Sequence, residues 1–458
     1  SLSQWVINAY LLALSAIILL GGKIGDRLGH KRAFLAGVIV FITASTLAAL
    51  AESGAWLITA RAIQGIGAAF MMPSTNALVT NAFPAQERGK ALGIYIALAT
   101  IFLALGPLLG GFLTQVFSWR AVFWINFPIA LISIILAISS VPTWRRREKL
   151  NIDYLGFFIS VIFISGFVLG FMEAPNWGWT SLPIMGLFLL SIISLITFIG
   201  WEKKIPHPLV ELTLFKNLTF TTLFSVLLII QAVAIVFVFL AIFLQNVLHY
   251  SPLMAGLLLL PAMVPIMLMA PVGGHLRDKY GPTLPMFCGA LLVVLSLIWI
   301  AIFSHNRGYA WLFPGLLVYG IGMPLILSGI MATVMNMVNA QQRGMASAIF
   351  NCARQFGNTI GLALLTGLLA SVNKWQLNSF LHHSPVPLSR LKEQQIDGLL
   401  VQSDQAMKAI AHLSLAHIEL LKTAALNAYT NAFSMTLLAA AILAFLSLFL
   451  ILKIPRKQ

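Results

Sequence analysis

Apolar residues in this chain come in long, nearly unbroken runs rather than in the alternation of a half-buried strand or the narrow stripe of a surface helix. The runs fall at 5–21, 33–51, 55–80, 90–114, 121–141, 153–172, 181–200, 218–245, 253–273, 283–303, 310–337, 344–371 and 431–452. Runs of about 20 residues, at about 1.5 Å each, match the roughly 30 Å hydrocarbon core of a bilayer. The pattern therefore predicts thirteen membrane-spanning α-helices. Continuous runs also exclude an outer-membrane barrel, whose strands alternate.

Composition points the same way. Of 458 residues, 59% are hydrophobic and 9% charged, with mean hydropathy +0.93, against a globular norm of about 45–50% and 25%. Disorder, a coiled coil, a disulfide scaffold and an ordinary soluble enzyme are all excluded. The formal charge of +15, from 28 basic and 13 acidic residues, raises nucleic acid as a partner only until position is considered. Nineteen of the 28 basic residues, from Lys23, Arg27, Lys31 and Arg32 through Arg145, Arg146 and Arg147 to Lys453, fall on one side of the spans, while the short loops of the other side hold Arg120 and Arg307. That asymmetry makes the first side cytoplasmic, with the C-terminus there and the first span starting outside. It forms no basic face interleaved with stacking aromatics, so no nucleic-acid partner is expected. Cys288 and Cys352 fall inside spans and give no disulfide or metal pattern.

The chain repeats itself. Gly22-Lys23-Ile24-Gly25-Asp26-Arg27-Leu28-Gly29 recurs 252 residues later as Gly274-His275-Leu276-Arg277-Asp278-Lys279-Tyr280-Gly281. Gly65-Ile66-Gly67 recurs at Gly320-Ile321-Gly322, and Gln86-Glu87-Arg88-Gly89 at Gln341-Gln342-Arg343-Gly344, both 255 residues on. Six-helix repeats are common in secondary transporters. The second copy has two spans before its glycine loop and the first copy only one, which predicts a helix preceding Ser1 and a natural total of fourteen: six, an inserted pair, and six. The expected all-α organisation is an N-terminal half over 1–142, the inserted pair with its flanks over 143–215, a C-terminal half over 216–372, an external amphipathic stretch over 373–430, and a last helix with a cytoplasmic tail over 431–458. Helical spacing in 399–430 reads as an amphipathic extension of the last helix on the external surface, with partner docking as the other reading.

In the first glycine loop, Gly22 allows close backbone approach, Gly29 permits the reversal, and Asp26 is placed to cap, or to face the positive N-terminus of, the helix that follows. Arg27, Lys31 and Arg32 anchor the loop on the basic side. These residues resemble the signature between the second and third helices of the major facilitator superfamily, Gly-x-x-x-Asp-Arg-x-Gly-x-Arg/Lys-Arg/Lys. The resemblance implies that Gly22, Asp26, Arg27, Gly29, Lys31 and Arg32, with Gly274, Asp278, Lys279 and Gly281 of the second copy, form a conformational latch.

Three further patterns carry the resemblance. Arg61 lies inside a span with Gln64 on the same face; it is similar to the family's Arg-x-x-Gln-Gly, which implies proton transfer, while snorkelling is the alternative. Gly106-Pro107-Leu108-Leu109-Gly110-Gly111 resembles the antiporter signature of exporters, with glycines that give a flat face for close packing and Phe102 where the family has glycine. Gln4-Trp5 with Tyr10, Trp119-Arg120 with Phe123 and Pro128, and Asn351 with Arg354, Gln355 and Gly357 resemble the fourteen-helix drug:proton antiporter branch. Asn351, Arg354 and Asn358 share one helix face, either lining a cavity or hydrogen-bonding between helices. Pro261, Pro265, Pro271 and the methionines Met263, Met267 and Met269 suggest a kinked, deformable wall. His382, His383, His412 and His417 lack a metal-site spacing, and no nucleophile triad or phosphate loop occurs.

The resemblance implies a proton-coupled exporter of hydrophobic or cationic small molecules in the cell's inner membrane, with an importer or metabolite carrier of the same fold as the alternative. It is not expected to be an enzyme or to need a cofactor or metal. Its expected partners are a drug-like substrate, protons, the lipid bilayer and, as a candidate, a periplasmic adaptor protein. All thirteen acids map to loops or span ends, so the expected coupling carboxylate lies on the helix inferred to precede Ser1.

Overall fold

The computed structural model describes residues 2–140, 153–383 and 415–454, and among them it is all helix and turn. Helix occupies most of the described part of every apolar window, with breaks at Ile125, Ile235 and Leu259. In chain order the helices are α1 (Leu2–Leu28), α2 (His30–Ala49), α3 (Gly54–Ala82), α4 (Arg88–Val116), α5 (Ala121–Trp124), α6 (Asn126–Ser140), α7 (Tyr154–Trp177) and α8 (Leu182–Glu202). There follow α9 (Leu218–Ala234), α10 (Val236–Asn246), α11 (Pro252–Leu258), α12 (Leu260–Tyr280), α13 (Thr283–Phe303), α14 (Tyr309–Met337), α15 (Arg343–His383) and α16 (Leu415–Ile451). The break between α11 and α12 falls beside Pro261, in the first turn of α12, where a missing N–H costs nothing.

The repeat is visible in the helix ends. α3 and α14 each have 29 residues, and both their first and last residues are 255 apart, as are the first residues of α4 and α15. Each copy is closed by the same contact: a side chain added at Gly65 would strike the Tyr10 carbonyl of α1, and one at Gly320 the Ala262 carbonyl of α12. Small residues let these helices touch, as membrane helices require. Ala44, Ala69 and Ala77 are wholly buried, whereas Ile132, Leu136 and Ile138 on α6 are more than half exposed, the inside-out distribution of a chain solvated by lipid. The pair α7 and α8 packs on itself, and α7 bridges α1 of the first copy and α15 of the second, with Phe163 and Phe167 against Phe356.

The external stretch expected over 373–430 differs in part. α15 has 41 residues and α16 has 37, so at about 1.5 Å per residue α15 is about 61 Å long, twice the hydrocarbon core. Both helices run on past the span and pair beyond it. Asn431 donates to Gln376 Oε1 at 3.0 Å, and Gln376, Phe380, Leu420 and Asn427 line a recess of about 270 Å³ between them. Their amphipathic spacing is thus used against each other, which the sequence pattern of a single segment cannot reveal. The remainder of that stretch, with His412 and the 399–414 part of the predicted amphipathic helix, lies outside the described residues, as do the side chains of His382, His383 and His417.

Candidate functional site

The two repeats meet at the ends where the glycine loops lie. This is the basic end, where Arg27, Lys31, Arg88, Arg277 and Arg343 collect. Gly29 and Gly281 reverse the chain with φ of 98° and 84°, a region that favours glycine. Close approach then requires glycine on both sides of each contact: a Cβ on Gly22 would collide with the Gly344 carbonyl, and one on Gly274 with that of Gly89.

These approaches deliver two carboxylates to two helix N-termini. Asp26 Oδ1 and Oδ2 accept from the Gly344 and Met345 N–H groups, both at 2.7 Å, at the start of α15. Asp278 Oδ2 accepts from the Lys90 N–H at 3.2 Å, at the start of α4. Lys90 and Met345 are 255 residues apart, so the contacts are repeat mates. The unpaired N–H groups and positive dipole of a helix start favour a carboxylate there. For Asp26 the sequence offers two readings at the following helix, α2: capping it or facing its positive N-terminus. Instead Gly29 is the N-cap of α2, with no side-chain bond, and Asp26 reaches that helix only through His30 Nε2 at 3.4 Å. The following helix lost because its first N–H groups lie around a tight turn, whereas the start of α15 points straight at the carboxylate. Asp278 is shared, since its Oδ1 also accepts from Arg277 at 3.0 Å.

A second reciprocal pair was not foreseen. Arg88 donates to Asn336 Oδ1 at 2.8 Å, and its mate Arg343 donates to Asn81 Oδ1. Asn81 and Asn336 are themselves 255 residues apart, so the signal was present in the sequence: an asparagine seven residues before each arginine of the repeated loop. Asn76 Nδ2 of α3 adds a bond to Ser347 Oγ of α15 at 2.9 Å, one turn further into the bundle. All the described hydrogen bonds between the two repeats lie at this end.

The contacts of the other motif residues are as follows. Lys31 reaches the Ile138 carbonyl at 3.0 Å within its own repeat, Arg32 is exposed, and Lys279 stands over the Tyr280 ring at 5.2 Å. Lys23, inside the motif, donates to the Pro208 carbonyl at 2.6 Å in the segment after the inserted pair, and Glu211 of that segment accepts from Gln342 beside α15. The inserted pair is thereby tied to both sides of the closed end.

The two intramembrane arginines differ. Arg61 is half-buried and wrapped by its own repeat. Its Nε donates to the Val6 carbonyl at 3.1 Å, Nη1 donates to Gln64 Oε1 at 2.5 Å, and the guanidinium lies 4.3 Å from the Tyr10 ring centroid. Gln64, 1% exposed, is fixed by that bond. Arg354 is exposed. Its Nη2 donates to Asn351 Oδ1 at 3.0 Å, and Asn351 is in turn held by the Ser347 carbonyl at 2.9 Å. Asn351 therefore orients the arginine of its own helix, and among the described residues its bonds fall within α15. Gln355 and Asn358 are half-buried on the same stretch of α15. Arg354 lies about 16 Å along α15 from Arg343 at about 1.5 Å per residue, two turns past Ser347, whose bond to Asn76 is the innermost described hydrogen bond between the repeats.

The close packing expected of the Gly106–Gly111 motif is absent at its described glycines. Cβ atoms on Gly106 and Gly110 would meet nothing within 4 Å. α4 makes its tight approach earlier, through Gly89 and Gly93 against α12. The helix continues through Pro107, whose side chain, like Gly111, lies outside the described residues.

Two reciprocal sets of contacts between the copies of one repeated helical unit, closing a bundle at one end around mid-span polar groups, define a multi-pass membrane transporter. The comparisons with known proteins agree. The family model of the Major Facilitator Superfamily matches residues 1–362, and the chain belongs to that superfamily. It is 32% identical over 390 residues to the multidrug resistance protein Stp of Mycobacterium tuberculosis (strain CDC 1551 / Oshkosh), covering 84% of this chain and 72% of that protein. To the tetracenomycin C resistance and export protein of Streptomyces glaucescens it is 31% identical over 375 residues, 80% of this chain and 69% of the other. Among solved structures, the proton:xylose symporter XylE bound to 6-bromo-6-deoxy-D-glucose superposes with a TM-score of 0.60 at 14% identity, over 99% of this chain and 86% of that one. The last likeness is one of fold.

Proposed function

We propose that this transporter is a proton-driven exporter of hydrophobic small molecules in the cytoplasmic membrane, working by alternating access. The observation that carries the reading is the doubled seal at the basic end: Asp26 on α15 and Asp278 on α4, with Arg88–Asn336 and Arg343–Asn81 beside them. With that end cytoplasmic by the positive-inside rule, the conformation is open to the outside, the state from which an exporter releases its cargo. To turn inward, both carboxylates must leave their helix N-termini, so these bonds act as the latch that sets the balance between states. Export rather than import is supported by the antiporter-like run from Gly106 to Gly111 and by relatives named for resistance and export.

Protons are a sufficient drive. One proton crossing about 100 mV yields about 2.3 kcal/mol, which at about 1.4 kcal/mol per tenfold sustains a gradient of about forty-fold. Arg61 with Gln64 is the proposed coupling pair. The test is efflux: a pump-deficient bacterium expressing the complete reading frame is loaded with lipophilic dyes, and retention is followed with and without a protonophore. Lower retention that the protonophore abolishes is expected. Unchanged retention across the panel, with uptake of another solute instead, would favour the importer.

A further inference from the structure

We propose that the opening beyond the seal is an anion site, in which Arg354 pairs with the acidic group of a lipophilic organic anion, making such anions the preferred substrates. The proposal rests on the exporter reading above and names its substrate class.

Arg354 has hydrogen-bond donors in reserve. A guanidinium carries five N–H donors, and its one described bond is Nη2 to Asn351. It is exposed at mid-span, whereas its neighbours Cys352 and Ala353 are buried. Arg61 shows how the same chain satisfies an intramembrane arginine when no ligand is to be met: a carbonyl, an amide and an aromatic face surround it. Among the described residues no carboxylate is paired with Arg354, and all the described acids stand at helix ends or in connecting segments. An unpaired cation at that depth is costly, and Asn351, locked by Ser347, holds it there in a fixed direction.

What faces Arg354 defines the rest of the ligand. The Tyr95 hydroxyl of α4 lies within electrostatic reach of the guanidinium, which puts the Tyr95 face of α4 on the Arg354 side of that helix. Leu98 and Phe102, one and two turns outward on the same face, are 51% and 65% exposed. A cationic floor under an apolar wall suits a molecule with a hydrophobic body and a carboxylate, sulfonate or phenolate at its inner end. Such a group gains charge-assisted, bidentate hydrogen bonds from arginine. A cationic molecule of the same shape meets like charge and, among the described residues, no acid to receive it.

The test uses two dyes on one scaffold, fluorescein as the anion and rhodamine 123 as the cation, and energised everted vesicles from cells expressing the complete reading frame. The parent is expected to accumulate fluorescein in preference. Arg354→Gln should lower the ratio of fluorescein to rhodamine 123 uptake by about tenfold or more, and Arg354→Lys should fall between, keeping charge without the fork. Asn358→Asp, nearly isosteric and one turn from Arg354, places a carboxylate beside the guanidinium and should lower the same ratio even if Arg354→Gln fails to accumulate. An unchanged ratio in the variants that reach the membrane overturns the anion site. Energised uptake of rhodamine 123 alone by the parent also overturns it but keeps the exporter reading, and uptake of neither dye removes both.

Discussion

At the scale of single residues, the bonds that each polar group has in reserve decide what a substitution costs. Arg343 is buried with its Nε unpartnered, so Asn81 is its one described acceptor. Arg88 has the Thr80 and Phe83 carbonyls in addition to Asn336. Asn81→Ala is therefore expected to be the more damaging of the two mates, by about 1–3 kcal/mol for a buried donor left unmet. Thermal unfolding of the purified variants should rank Asn81→Ala below Asn336→Ala, and equal midpoints would argue against the asymmetry. Arg61→Ala removes the tie to Val6 and leaves Gln64 Oε1 unmet. It should accumulate at a modestly lower level yet lose proton-dependent efflux per molecule, with Arg61→Lys intermediate. Efflux equal to the parent at matched abundance would take Arg61 out of the coupling step.

At the scale of elements, the two helix-terminus contacts are related by the repeat but unequal in geometry. Asp26 makes two 2.7 Å bonds to α15, while Asp278 makes one of 3.2 Å to α4 and shares its other oxygen with Arg277. Asp26→Asn should shift the protein away from the arrangement closed at the basic end more than Asp278→Asn. A cysteine pair replacing Asn76 and Ser347, with Cys288 and Cys352 changed to serine, measures this through the yield of disulfide across the seal. Gly274→Val should suppress the same cross-link, because its side chain would enter the space of the Gly89 carbonyl and hold α4 from α12. Full cross-linking in that variant would mean that the glycine contact does not set the closure.

At the scale of the molecule, the charge asymmetry makes a prediction about sidedness. Asn306, in the turn between α13 and α14, and Lys204, beyond α8, are both exposed but lie at opposite ends. In the cysteine-free background, Asn306→Cys should react with an impermeant thiol reagent applied to whole cells and Lys204→Cys should not. The reverse result would turn the open face toward the cytoplasm and invert the proposed direction of transport.

Much of this protein is determined locally, and that part is legible in the sequence. A span needs only about 20 consecutive apolar residues, sidedness needs only a count of Lys and Arg, and a repeated turn needs its glycines, so the spans, the repeat and the reversals at Gly29 and Gly281 follow from the chain read in order. The depth of Arg61 and Arg354 follows equally from their places within spans. What tertiary structure decided is which groups meet. Asp26 bonds to Gly344 across 318 residues of chain, Arg88 to Asn336 across 248, and the choice of α15 over α2 for Asp26 depends on how the repeats lie against each other. The openness around Gly106 and Gly110 and the exposure of Arg354 belong to the same arrangement. A transporter must adopt at least two such arrangements with one sequence, so the sequence specifies the helices and the complementary surfaces, and the relative position of the repeats selects which of those surfaces are joined.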